Sequence, residues 1–68
     1  MDSVYKKIEV VGTSTVSVTD AINTAVTKAA STVKNIGWFE VIESRGRIKD
    51  GAVAQYQVTL KIGFKLED

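Results

Sequence analysis

The stretch Ile48-Lys49-Asp50-Gly51-Ala52 decides how this chain folds. Asp-Gly tolerates positive φ, so Lys49-Asp50-Gly51 predicts a tight hairpin turn. Downstream, Ala52, Ala54, Tyr56, Val58, Leu60, Ile62 and Phe64 alternate with Gln55, Gln57, Thr59, Lys61 and Lys65. That period of two marks a long strand with one apolar and one polar face. Upstream, Trp38-Phe39-Glu40-Val41-Ile42-Glu43-Ser44-Arg45-Gly46 opens the partner strand, which runs from Trp38 to about Ile48. Strict alternation puts Phe39 and Val41 on a core face and Trp38 on the other, and it separates Glu40 from Glu43.

Working back toward the N-terminus, Val4 to Val11 carries Tyr5, Ile8, Val10 and Val11 among charges and reads as a first strand, broken by Gly12-Thr13-Ser14-Thr15. Ser17-Val18-Thr19-Asp20 has the residue types of a helix start, with Ser17 as N-cap and Asp20 in the first turn. Val18, Ala21, Ile22, Ala25, Val26, Ala29, Val33 and Ile36 follow near a 3.6-residue period, which predicts a helix of about five turns ended by Asn35 and Gly37. The fold class is therefore α+β. The order is β-α-β-β, a single domain over residues 1–68 with a three-stranded antiparallel sheet packed on one face by one helix. The other face, holding Trp38 and Gln57, is left uncovered in a monomer.

A chain of 68 residues has a thin core, and small domains lean on disulfides, metals or oligomerisation. Cysteine and histidine are both absent, which removes disulfides and the usual zinc ligands and leaves oligomerisation. Nine basic and eight acidic residues give a net charge of +1, too balanced for a general nucleic-acid or membrane-surface binder. With no bilayer-length apolar run and no signal-peptide pattern, the expectation is a soluble, cytoplasmic protein.

Catalytic groups are scarce, because there is no thiol nucleophile and no imidazole base. Glu9 is a lone glutamate whose ordinary role is a solvated charge. Gly12-Thr13-Ser14 lacks the glycine pattern and lysine of a phosphate loop and reads as a turn into the helix. The better pair is Trp38 with Gln57. An indole stacks on flat heteroaromatic rings, and a carboxamide offers donors and an acceptor to an imide-like edge. The competing reading is an oligomer-interface tryptophan beside a surface glutamine. Arg45, and Arg47 one period later, can meet a phosphate or stack on a ring, or serve as solvated edge-strand charges. Lys28 and Lys34 on the helix, with Lys6 and Lys65 on the flanking strands, form either a modest basic patch or separate solvated lysines.

These residues resemble the dodecin family of small flavin-binding proteins, over nearly the whole chain. The likeness is carried by Val4-Tyr5-Lys6-Lys7-Ile8-Glu9, Val11-Gly12-Thr13-Ser14, Trp38-Phe39-Glu40-Val41, Arg45-Gly46, Ile48, Tyr56-Gln57-Val58-Thr59-Leu60 and Gly63-Phe64-Lys65-Leu66. The resemblance implies a hollow homododecamer with flavins (FMN, riboflavin or FAD) bound in pairs between subunits. It gives Trp38 the stacking role and Gln57 the polar ring edge, and it places Arg45 near the flavin. It also implies coenzyme A as a ligand in some bacterial members, at positions here held by Lys6, Lys28, Thr32, Lys34 and Lys65. Lysine at several of them gives up the bidentate phosphate geometry of arginine, and Val18 stands where many relatives have an aromatic. The function implied is non-enzymatic flavin storage or sequestration with photoprotective quenching. The alternative is a coenzyme A-binding or interaction module that takes flavin incidentally.

Overall fold

Asp50 and Gly51 adopt φ of 53° and 75°, and this two-residue turn joins two 14-residue strands into the long hairpin that dominates the molecule. The computed structural model describes residues 2–67. Its elements are β1 (Tyr5–Ser14), α1 (Val18–Ala30), β2 (Ile36–Lys49) and β3 (Ala52–Lys65). The sheet order is β1-β3-β2 with both pairings antiparallel, so β3 is central. The expected β-α-β-β architecture is what forms.

β1 does not break at Gly12 but continues to Ser14. Gly12 is there for close packing rather than for a turn. A Cβ on it would overlap the Ala21 carbonyl oxygen and stand 2.9 Å from Ala25 Cβ, so only glycine lets the helix lie this close. Ser17 caps the helix as expected, its Oγ accepting from the Asp20 backbone N–H at 2.9 Å. Ser14 reinforces this corner: its Oγ donates to the Asp20 carboxylate at 2.6 Å and accepts from the Val16 N–H at 2.8 Å.

The helix spans 13 residues, about 3.6 turns rather than five. Ser31 Oγ donates back to the Lys28 carbonyl at 2.6 Å, and the Ser31 and Thr32 N–H groups tighten onto the carbonyls three residues back, Lys28 and Ala29. Asn35, at φ 63°, then turns the chain into β2. Ile36 packs against the core as the first residue of β2, while Val33 is half-buried in the loop before it. Lys34 therefore lies beyond the helix.

The core is small. Ala21, Ala25 and Ala29 pack on Val58, Leu60 and Ile62. Fully burying a side chain of the latter kind contributes about 1.5–3 kcal/mol. Phe39 and Val41 lie opposite Ile62 and Leu60 and so share the helix face, but they are 48% and 47% exposed. The expectation of core residues fails here because α1 packs mainly over β1 and β3. Beyond the helix the hairpin runs on bare, with Ile48 at 78% exposure. The molecule measures 55 × 20 × 13 Å, and its radius of gyration is 14.1 Å. A compact chain of this length has about 11 Å. That is the shape of a piece of an assembly. Among the described residues no helix is long and apolar enough to cross a membrane.

Candidate functional site

Register fixes which side chains share the face away from the helix, because directly opposed residues in antiparallel strands point the same way. Trp38 of β2 opposes Gly63 of β3, which in turn opposes Lys7 of β1. The indole lies across Gly63: a Cβ there would overlap Cζ2, Cε2 and Cη2 of the ring. Tyr5 meets the indole edge-on, with centroids 5.4 Å apart and planes at 68°. The indole Nε1–H donates to Glu40 Oε2 at 3.0 Å, and Lys7 Nζ holds the same carboxylate at 3.3 Å. The Trp38 bond first, and then Lys7, hold the Glu40 carboxyl below the usual glutamate range. With its sheet side seated on glycine, the indole remains 39% exposed.

β2 carries irregularities that alternation cannot foresee. Ile36 opposes Phe64 while Trp38 opposes Gly63, so Gly37 is an extra residue that turns Ile36 toward the helix and Trp38 away from it. Val41 opposes Leu60 while Glu43 opposes Thr59, which makes Ile42 a second extra residue. Glu40 and Glu43 therefore lie on the same face, not on opposite ones. The same bulge brings Arg45 and Arg47 onto the Trp38 face, opposite Gln57 and Gln55. Gln57 Nε2 donates to Gln55 Oε1 at 3.0 Å, and Arg45 pairs with Glu43 at 3.4 Å through exposed side chains.

Trp38 and Gln57 do share the uncovered face on adjacent strands, but they are not neighbours. Gly63, the residue beneath the indole, is six positions along β3 from Gln57, about 20 Å at the usual rise per residue. One chain thus carries two separate clusters on this face: a seated indole at one end and an Arg45–Gln57 row at the other. The lysines are also dispersed. Lys28 and Thr32 line a groove with Ile8, Val10 and Val11, whereas Lys65 lines another with Tyr5 and Asn35. Lys6 opposes Phe64 on the helix side of the sheet.

Four residues of the site escaped the reading of the sequence. Tyr5, Lys7 and Glu40 look like ordinary members of alternating strands. Gly63 had carried no assigned role, yet a lone glycine inside a strand signals close approach, and here the approaching group is the indole.

Fold and site together define a small sheet-and-helix protein with a pre-seated, partly exposed tryptophan on the sheet face that the helix leaves uncovered. The chain belongs to the dodecin family, whose family model, described as Dodecin, matches residues 4–67. It is similar to the dodecin of Thermus thermophilus, 47% identical over 68 residues, covering 100% of this chain and 99% of the relative. It is also similar to the calcium dodecin of Mycobacterium tuberculosis, 34% identical over 64 residues and covering 94% and 90% of the two chains. The solved structure of dodecin from Streptomyces coelicolor superposes with a TM-score of 0.94 at 49% identity, covering 98% and 96%.

Proposed function

We propose that this chain binds flavin (FMN, riboflavin or FAD) between subunits of a closed homododecamer and serves as a flavin store rather than as an enzyme. The observation that carries this reading is the Trp38 indole, laid flat over Gly63 and held at its N–H by Glu40. A preset indole plane suits a flat fused ring, and the Arg45–Gln57 row supplies donors and an acceptor for a polar ring edge. The roughly 20 Å between the two clusters is longer than a fused three-ring system, so one ring meets both only when different chains supply them. An indole in contact with a bound flavin is an electron donor close enough to quench its excited state. Such a store sits in the cytoplasm, in keeping with a chain that lacks cysteine.

The name of the Mycobacterium tuberculosis relative refers to calcium. Among the described residues no three or more carboxylates gather as a metal site, and the present reading rests on the indole. Coenzyme A is the second reading. It draws on the Lys28–Thr32 groove, where an ammonium and a hydroxyl flank an apolar floor. Lys6, Lys34 and Lys65 are not among the residues that line that groove.

Sedimentation combined with FMN titration tests the proposal. Wild type should sediment as one species of about twelve chains and quench FMN emission, and Trp38→Ala should keep the assembly and lose the quenching. A stable micromolar monomer, or unchanged FMN affinity in Trp38→Ala, overturns it.

A further inference from the structure

A stacking side chain is useful only if its plane is fixed before the ligand arrives, since immobilising it on binding costs affinity. Trp38 is partly exposed, so burial alone does not fix it. Glu40 lies two residues along β2 on the same face, and its Oε2 accepts the indole N–H at 3.0 Å. The indole N–H can only donate and the ionised carboxylate can only accept, so the contact has one sense and is charge-assisted. Lys7 reaches the same carboxylate from β1, two strands away, with Nζ at 3.3 and 3.4 Å from its two oxygens. Lys7 opposes Gly63 and Glu40 opposes Lys61 on the central strand, so the contact runs diagonally across β3 beside the indole.

We propose that Glu40, anchored by Lys7, is a positioning residue that locks the plane of the Trp38 indole for ring stacking. The inference rests on the flavin reading for its purpose, but the lock itself belongs to the ligand-free protein. The chain has one tryptophan, so the ¹⁵N-labelled protein without flavin shows a single indole N–H resonance. In wild type that resonance should be shifted downfield and protected from solvent exchange. Glu40→Ala should move it toward the solvent position and speed its exchange, and Glu40→Gln, which keeps a carbonyl acceptor, should restore most of the protection. FMN affinity should follow the same order. Glu40→Ala should weaken binding about two- to tenfold, the range for immobilising one side chain on binding, with Glu40→Gln near wild type.

An unchanged indole resonance in Glu40→Ala overturns the lock. So does a freed N–H with undiminished FMN affinity. Should Glu40→Ala fail to assemble, Lys7→Ala provides the test, with a smaller shift in the same direction expected and no shift refuting the anchor. If wild type itself binds no FMN the flavin reading falls, and the resonance still decides whether Glu40 holds the indole.

Discussion

Mixing two defective subunits tests whether Trp38 and Gln57 act across chains. The indole's seat at Gly63 is about 20 Å from Gln57 within one chain, so a ring touching both must borrow one from a neighbour. Losing a stacking partner costs about 1–3 kcal/mol per ring, roughly a fivefold to hundredfold weakening for Trp38→Ala. Losing the carboxamide leaves a ring edge unpaired and costs Gln57→Ala about 1–3 kcal/mol as well. Each variant alone should therefore bind FMN poorly. Refolded together in equal amounts, they form mixed assemblies in which about a quarter of cross-chain contacts pair an intact Trp38 with an intact Gln57. Titrating FMN emission should reveal a corresponding high-affinity fraction absent from either parent. If the mixture binds no better than the average of its parents, the two residues do not meet across a subunit boundary, and the assignment of Gln57 to the ring edge fails.

Gly63→Ala should displace the indole and weaken FMN binding toward the level of Trp38→Ala, because the added Cβ overlaps three ring atoms; near-UV circular dichroism of the lone tryptophan reports the displacement, and an unchanged spectrum with full affinity would contradict the seat. Gln57→Glu should bind worse than wild type at neutral pH, since a carboxylate accepts but cannot donate, and mild acidification should partly restore binding as the acid gains a proton; equal affinity at neutral pH would remove Gln57 from the site. Glu40 has its folded pKa depressed, so what it contributes is present above the usual glutamate range and lost as pH falls through the lowered value. Indole N–H protection in the ligand-free protein should hold from neutral pH down through that range and weaken below it only about as far as Glu40→Gln weakens it, because the protonated carboxyl keeps a carbonyl acceptor and loses only the charge assistance; loss beginning near neutrality would point to a different group.

Local chemistry made much of this molecule legible from sequence alone. The positive-φ tolerance of Asp50-Gly51, the capping hydroxyl of Ser17 and the alternation through Val58, Leu60 and Ile62 each depend on neighbours in sequence, and each is where it was expected. The uncovered tryptophan was also legible, because the sequence predicts one helix and that helix covers the other face of the sheet from Trp38. What stayed hidden depends on three-dimensional registration. Gly37 read as the end of the helix and Ile42 leaves no compositional mark, yet these two extra residues settle which way Ile36, Glu43, Arg45 and Arg47 point. Phe39 and Val41 have the residue types of a core but lie where the helix does not reach. Gly12 reads as a breaker because glycine serves turns and close packing alike, and only the helix above it tells the two apart. The distance from Trp38 to Gln57 was hidden for a different reason: alternation reports the face a residue occupies, not its place along the strand.

The central claim is that flavin rings are held between chains on the Trp38 platform, and native mass spectrometry with added FMN addresses it in a single spectrum. The account predicts an assembly near 89 kDa, twelve chains of 7.4 kDa, that gains whole FMN masses. FMN carried by a single chain, or an assembly of that mass that takes up none, would contradict it.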